Sequence, residues 1–172
     1  PSGCGKGTVL KELLTKKEGL FLSVSATTRR PRPGEIVGQS YYFLSRDRFL
    51  ELVDNGGMLE YACYCDNYYG TPKDSVEAKR AQGIDVILEI EVQGAMQIKQ
   101  KCPDAVMVFV MPPSMAELAR RLVDRNTEDE ETVSRRMAKA VEEMRHAKEY
   151  DYIVVNDTVE NAVENLWGIV LA

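Results

Sequence analysis

Apolar and polar positions recur along this chain with two different periods, which predict helices and strands in turn. Spacings of three and four residues predict an amphipathic helix over residues 6–17, which Gly19 should end. A second helix is expected from about Arg46 to Asp54. Thr71-Pro72 matches an N-cap followed by proline at the first helical position, and Gly83 marks the end of the helix that they would open.

Short apolar runs, several of them rich in β-branched residues, predict the strands. These runs lie at residues 21–26, 41–43, 85–90, 105–111 and 151–155. Capping boxes predict further helices, one from Ser114 with Glu117 and one from Thr127 with Glu130. Strands that alternate with helices predict an α/β fold with a mainly parallel central sheet, in which ligands bind at the carboxyl ends of the strands.

Composition and net charge argue against two functional classes, membrane proteins and general nucleic-acid binders. The 172 residues are 44% hydrophobic and 28% charged, which fits one globular domain with a core. No apolar run approaches the roughly 20 residues of a membrane span, so no membrane association is expected. The net charge of −5 argues against a general nucleic-acid binder. An anionic ligand would therefore need a local cluster of positive charge.

The four cysteines, Cys4, Cys63, Cys65 and Cys102, show neither metal-ligand nor disulfide-framework spacing. The single histidine, His146, is far from them in sequence. We therefore expect free thiols in a reducing compartment, and hence a cytoplasmic location.

The segment Gly3-Cys4-Gly5-Lys6-Gly7-Thr8 runs directly into the first predicted helix. A glycine-rich turn lets backbone N–H groups converge on a phosphate, and the helix N-terminus adds partial positive charge. Lys6 can then reach the β- and γ-phosphoryl oxygens. The segment departs from the pattern G-x-x-x-x-G-K-[ST] in two ways, because the first glycine would precede Pro1 and the hydroxyl has moved to Thr8. We expect the strand that feeds the loop, and the end of the last helix, to be missing from this sequence.

Residues 23–35 read S-V-S-A-T-T-R-R-P-R-P-G-E, and this stretch resembles the signature S-x-[ST]-T-R-x-P-R-x-G-E of guanylate kinases. Further matches follow in the family's order over essentially the whole chain: Gly38-x-x-Tyr41-x-Phe43, Leu59-Glu60, residues 67–71, residues 88–94, Pro112-Pro113-Ser114, Arg121 to Arg125 and Val155-Asn156-Asp157. The resemblance implies a single P-loop NTPase-type domain of three layers over residues 1–172. It also implies a GMP-binding lobe at about 26–83 and a lid at about 120–137.

The resemblance implies transfer of the γ-phosphoryl group of ATP to GMP or dGMP, in purine nucleotide metabolism, with Mg²⁺ and no obligate protein partner. The loop Gly3, Cys4, Gly5, Lys6, Gly7 and Thr8 would bind ATP together with Asn156, and Thr8 would contact the metal directly or through water. A K-G-T ending resembles nucleoside monophosphate kinases, in which phosphate oxygens and water hold most of the Mg²⁺. Lys6 and four arginines would stabilise the transferring phosphoryl group: Arg29, Arg121, Arg125 and Arg136.

Arg29 and Arg32 lie on a proline-stiffened loop and can fork onto a phosphate, and the family holds the GMP phosphate with these two, Tyr41 and Tyr69. Glu60 can accept both guanine N1–H and the exocyclic amine, whereas adenine would leave that carboxylate unpaired at a cost of roughly 1–3 kcal/mol. The resemblance implies that two hydroxyls reach guanine O6 and that one more carboxylate contacts the guanosine. These residues are Ser25, Thr71 and Glu91.

Two other readings stay open at this stage. Glu89 and Glu91, where the family often has aspartates, could order the Mg²⁺ water shell or be ordinary charges at a strand end. A catalytically inactive guanylate-kinase-like domain that binds phosphopeptides is the alternative to an enzyme, but Lys6 and the lid arginines oppose it. A monophosphate kinase for another base or a phosphorylated sugar is a second alternative. Glu60, with its neighbouring hydroxyls, favours guanine over that reading.

Overall fold

The computed structural model describes Pro1, residues 3–123 and residues 130–172, and it divides into two compact units. The first unit consists of Pro1–Glu18 with Val106–Ala172, and the second is Gly19–Ala105. In chain order the described elements are α1 (Lys6–Lys16), β1 (Leu20–Leu22), β2 (Ala26–Thr27), β3 (Tyr42–Phe43), α2 (Arg46–Asp54), β4 (Met58–Tyr64), β5 (Asn67–Pro72), α3 (Lys73–Arg80), β6 (Asp85–Ile87), α4 (Val92–Lys101), β7 (Val108–Met111), α5 (Met115–Val123), α6 (Glu130–Arg145), a 3-10 helix (His146–Glu149), β8 (Tyr152–Val155) and α7 (Val159–Leu171).

The first two helices form where the sequence predicts them. In α1 the buried side chains of Val9, Leu10 and Leu13 share one face, and the helix packs against α7 within the first unit. Helix α2 begins after Ser45, whose Oγ accepts a hydrogen bond from the Arg48 N–H at 3.2 Å. Both helices are local structures, so the apolar period is enough to locate α1, and the apolar period with the Ser45 cap is enough to locate α2.

The predicted α/β class is confirmed, with a pair of parallel strands in each unit. In the first unit β7 pairs with β8, and in the second unit β1 pairs with β6. Each strand is shorter than its apolar run in the sequence. The run at residues 85–90, for example, continues past β6 into the connection before α4.

The prediction of one strand over residues 21–26 is wrong. The chain leaves the parallel pair after Leu22 and enters a second sheet at Ala26, whose strand order is β3-β2-β5-β4. In that sheet Ala26 lies between Tyr42 and Gly70. The apolar pattern continues through the change of sheet because both halves are partly or fully buried.

Strands β4 and β5 form an antiparallel hairpin that the sequence analysis did not predict. Cys65 and Asp66 make the turn, and their φ angles of 47° and 60° place both in the left-handed region. A two-residue turn of this kind matches the twist of the strands, but Asn-Gly or Asp-Gly is its usual sequence. The turn therefore carries no obvious signal, and the hairpin was missed with it.

Two caps were predicted near the ends of strands, and they have different outcomes. The helix predicted after Thr71-Pro72 does form, but it begins one residue later than predicted. Thr71 is part of β5, Pro72 is the N-cap residue without a capping side chain, and α3 begins at Lys73. Ser114 does cap α5, since its Oγ accepts a hydrogen bond from the Glu117 N–H at 3.1 Å. The other residue predicted to begin a capping box, Thr127, lies outside the described residues. Among the described residues, no helix is long and apolar enough to cross a membrane.

Candidate nucleotide-binding sites

The first unit carries the glycine-rich loop, which turns sharply just before α1. Gly3 and Gly5 have φ angles of 86° and 88°, in the left-handed region where a side chain is strained. A Cβ at Gly5 would lie 2.6 Å from Asn156 Nδ2, and a Cβ at Gly3 would lie 2.7 Å from a Leu122 methyl carbon. Both positions therefore need glycine for conformation and for space.

Asn156 and Arg121 hold the loop through the same carbonyl group. Asn156, only 4% exposed, donates from Nδ2 to the Cys4 carbonyl at 2.8 Å. Arg121 donates from Nη1 to that carbonyl at 3.3 Å and from Nη2 to the Asn156 carbonyl at 3.0 Å. The Arg121 Nε donates to Glu117 Oε1 at 2.8 Å. The loop is thus fixed by hydrogen bonds from the residue after β8 and from α5.

The N-terminus of α1 is arranged to receive an anion. Gly5 is its N-cap residue and supplies no side chain, and the first turn holds no acidic residue, so no carboxylate of the helix competes for its N–H groups. Lys6 begins the helix and donates from Nζ to the Pro1 carbonyl at 3.1 Å. Gly7 and Thr8 follow and are exposed. Helix N–H groups beside a lysine form a binding site for phosphate.

Of the two remaining arginines predicted to contact ATP phosphates, the structure describes one. Arg136 lies on α6, partly buried. Arg125 lies outside the described residues. The prediction that these residues form a lid over ATP phosphates therefore stays a prediction.

The second unit brings Glu60 and Thr71 together across the β4–β5 hairpin. The two residues are paired in register, and the Thr71 Oγ1 donates to Glu60 Oε1 at 2.7 Å. Glu60 is only 4% exposed, and burial raises the pKa of its carboxyl group above the ordinary value, against the opposing effect of the Thr71 hydrogen bond. The hydroxyl that was predicted to cap a helix instead orients this carboxylate.

Helix α4 passes directly beside Glu60. A Cβ built on Gly94 would lie 2.4 Å from Glu60 Oε2, a separation that side-chain carbons do not tolerate. Gly94 therefore makes room for the carboxylate. Gly94 lies within the matching stretch 88–94, but its role cannot be predicted from the sequence, because nothing local shows what a glycine faces.

Arg29 and the two tyrosines of the predicted phosphate site also lie together in the second unit. The Arg29 guanidinium is 5.4 Å from the centre of the Tyr41 ring, and the Tyr41 and Tyr69 rings are 6.1 Å apart. Glu35 forms a two-point ion pair with Arg29, at 2.8 and 3.0 Å. Burial, followed by the neighbouring Tyr69, raises the pKa of Tyr41 above its ordinary value. Glu35 is the last residue of the signature at 23–35, but the sequence alone does not predict its pairing with Arg29.

The other residues predicted to contact GMP lie in the segments that connect strands and helices. Ser25 precedes β2, and its carbonyl accepts a hydrogen bond from the Tyr42 N–H at 2.9 Å. Arg32 is exposed. Glu89 and Glu91 do not end a strand as predicted, because β6 stops at Ile87 and Glu91 is the N-cap residue of α4.

The described residues show no group of three histidine, cysteine, aspartate or glutamate side chains that could hold a metal ion. All four cysteines are free thiols. The arrangement in the first unit, a left-handed glycine loop that opens a lysine-led helix, defines a P-loop nucleotide-binding protein.

Comparisons with known proteins identify the family within that class. The sequence model described as guanylate kinase matches residues 1–172, and the chain belongs to the guanylate kinase family. It is 51% identical to a guanylate kinase of Desulfitobacterium hafniense over all of this chain and 86% of that protein. It is 52% identical to a guanylate kinase of Lactococcus lactis over all of this chain and 84% of that protein. The crystal structure of guanylate kinase from Anaplasma phagocytophilum matches with a TM-score of 0.78 at 36% identity, over 95% of this chain and 79% of that one.

Proposed function

We propose that this protein is an ATP:GMP phosphotransferase, which moves the γ-phosphoryl group of ATP to GMP or dGMP. Family membership supports the reaction type. The observation that carries the choice of acceptor is the buried Glu60 carboxylate, oriented by the Thr71 hydroxyl. A carboxylate can accept the two adjacent N–H donors of guanine, and adenine offers no such pair.

For ATP, we assign the phosphates to the loop and to the N-terminus of α1. Backbone N–H groups and Lys6 would hold the β- and γ-phosphoryl oxygens, and Asn156 keeps the loop in shape through the Cys4 carbonyl. Mg²⁺ would neutralise the phosphate charge, and the exposed Thr8 hydroxyl fits a contact with it or with its water.

For GMP, we assign the phosphate to Arg29, Arg32, Tyr41 and Tyr69. Arg29 is fixed over the Tyr41 ring, so its charge is already in place before the substrate binds. Ser25 would donate to guanine O6, and Glu91 would contact the guanosine. The Thr71 hydroxyl, whose one proton goes to Glu60 here, would donate to O6 only after turning away from that carboxylate.

Phosphoryl transfer needs the attacking phosphate oxygen in line with the γ-phosphorus, while fixed cations stabilise the charge that spreads over its oxygens. We assign that stabilisation to Lys6, Arg29, Arg121, Arg125 and Arg136. Because the reaction is direct transfer between two bound nucleotides, it requires no covalent intermediate on the protein.

A coupled assay of ADP formation with GMP, dGMP, AMP, UMP and CMP tests the proposal. We expect turnover with GMP and dGMP and little with the other three. Lys6→Ala should abolish turnover and leave GMP binding, measured by calorimetry, nearly unchanged, while Glu60→Gln should weaken GMP binding. Absence of turnover with every acceptor would favour the inactive interaction domain. AMP turnover at the GMP level would contradict the role of Glu60.

A further inference from the structure

The donor groups of Arg29 are divided between two edges of its guanidinium. An arginine has five N–H donors. Here Nη1 donates to Glu35 Oε2 at 3.0 Å and to the Arg30 carbonyl at 2.8 Å, and Nη2 donates to Glu35 Oε1 at 2.8 Å. Neither Glu35 nor the Arg30 carbonyl engages the Nε–H and the second Nη2–H, which lie side by side on the other edge. The Tyr69 hydroxyl, which we assign to the same phosphate, is also within hydrogen-bond reach of the Arg29 guanidinium.

Glu35 is itself anchored, so it is not an incidental surface partner. Its Oε2 accepts a hydrogen bond from the Arg32 N–H at 2.7 Å, and its own N–H donates to the Arg32 carbonyl at 3.1 Å. Gly34, with a φ of 86°, allows the tight turn between them. The hydrogen bonds from Arg29, and then that from Arg32, lower the pKa of the Glu35 carboxyl to about 2. Glu35 is therefore ionised throughout the physiological pH range.

The flat face of the same guanidinium is also fixed. Its central carbon lies 5.4 Å from the Tyr41 ring centre and 6.0 Å from the Phe43 ring centre. One edge held by Glu35 and one face held against aromatic rings leave a single orientation for the open edge. Arg29 is 15% exposed and Glu35 is 21% exposed, so neither side chain moves freely in solvent.

We propose that Glu35 is a positioning residue for the phosphate of GMP, which acts by holding one edge of Arg29 so that the Nε–Nη2 edge receives two phosphate oxygens. This inference rests on the proposed function. Two parallel N–H groups match two oxygens of a phosphate in the same way as they match a carboxylate. If Glu35 instead occupied the place of the phosphate, binding would have to break its bonds to Arg29.

The two arrangements predict opposite effects of removing the carboxylate. With Glu35→Ala, a positioned Arg29 loses its fixed orientation, so we expect the Kd and KM for GMP to rise about 10- to 100-fold. The KM for ATP should stay within about twofold of the unchanged protein. Glu35→Gln keeps the size of the side chain and one acceptor oxygen, so its effect should be intermediate. A fall in the KM for GMP in either variant would overturn the inference.

A ligand that lacks the phosphate distinguishes the positioning role of Glu35 from a purely structural one. Guanosine, measured as an inhibitor of GMP turnover, should bind the Glu35 variants as well as it binds the unchanged protein. Equal loss of guanosine and GMP binding would show that the loop has collapsed and would overturn the inference. Glu51→Ala is the matched control, because Glu51 forms an exposed ion pair of 2.7 Å with Arg48 on α2 of the same unit. It should change neither ligand's affinity.

The outcomes also separate this inference from the proposed function. If the unchanged protein binds GMP and Glu35→Ala binds it equally well, the positioning role fails and the proposed function stands. If the unchanged protein neither binds nor phosphorylates GMP, the proposed function fails and this inference fails with it.

Discussion

Replacement of Gly94 by alanine tests the assignment of Glu60 more sharply than replacement of Glu60 itself. The new Cβ would lie 2.4 Å from Oε2, 3.0 Å from Cδ and 3.4 Å from Cγ of Glu60. Ordinary contacts begin near 3.4 Å, so the carboxylate must move by about 1 Å. Its other oxygen is held by Thr71 at 2.7 Å, and the group is buried, so it has little room to move.

Two opposing terms set the stability of this variant. Alanine in place of glycine favours a helix by about 0.5–1 kcal/mol. Disturbing a buried hydrogen bond to a charged group costs about 1.5–3 kcal/mol. We therefore expect Gly94→Ala to lower the free energy of unfolding by about 1–2 kcal/mol. Because a 1 Å displacement disturbs both bonds to guanine, the KM for GMP should rise about 10- to 100-fold.

Urea unfolding and the KM for GMP measure the two effects, and Gly168→Ala supplies the control. Gly168 lies within α7, and no heavy atom lies within 4 Å of a Cβ built there. Its replacement should raise the free energy of unfolding by about 0.5–1 kcal/mol and leave the KM for GMP unchanged. The reasoning is refuted if Gly94→Ala behaves like Gly168→Ala in both measurements.

Four further predictions concern the buried side chains of Glu60, Asn156 and Phe49. Guanine needs ionised Glu60, whose pKa burial raises above 4.5, so the KM for GMP should rise as pH falls through that raised value, and Glu60→Gln should flatten the profile. Because the raised folded-state pKa means that the folded protein holds the proton more tightly, the unchanged protein loses stability as pH rises from the ordinary glutamate value through the raised one. Over that rise, urea unfolding should show Glu60→Gln gaining stability relative to the unchanged protein. Asn156→Ala removes the shorter of the two hydrogen bonds to the Cys4 carbonyl and leaves the one from Arg121, so it should cost about 0.5–1.5 kcal/mol in urea unfolding and raise the KM for ATP more than that for GMP. Phe49→Ala removes a fully buried ring stacked on Tyr68 and should cost about 3–5 kcal/mol in the same assay.

Local signals account for what the sequence predicted well. Helix α2 has an apolar face, a capping serine and two terminal glycines within a dozen residues, and it forms as predicted. The boundary between β1 and β2 has no such signal, because a change of sheet depends on partners such as Ile87 and Tyr42 that lie far along the chain. The β4–β5 turn at Cys65-Asp66 depends on backbone angles that its residue types do not announce.

Thr71 shows how one residue can satisfy two patterns of which the structure uses one. Thr-Pro before a helical segment is a helix start by local rules, and the resemblance gave the same hydroxyl a role at the base. A hydroxyl has one proton to donate, and here it is donated to Glu60 Oε1. A buried carboxylate binds that proton more strongly than a helix N-terminus would use the hydroxyl. Thr71 therefore pairs with Glu60 across the hairpin and does not cap α3.

Arg29 and Arg121, like Thr71, already have a partner in the structure. Both were predicted as cations for phosphate, and both are paired with a glutamate in the structure, Glu35 and Glu117 respectively. Each glutamate has its pKa lowered to about 2 by arginine hydrogen bonds, in the case of Glu117 from Arg120 before Arg121. Each ion pair as a whole adds little net charge, but each guanidinium remains a cation whose donor directions are fixed. The long-range attraction for an anion then comes mainly from Lys6 and the N-terminus of α1 for one nucleotide and from the exposed Arg32 for the other. The paired arginines decide the orientation in which a phosphate is held.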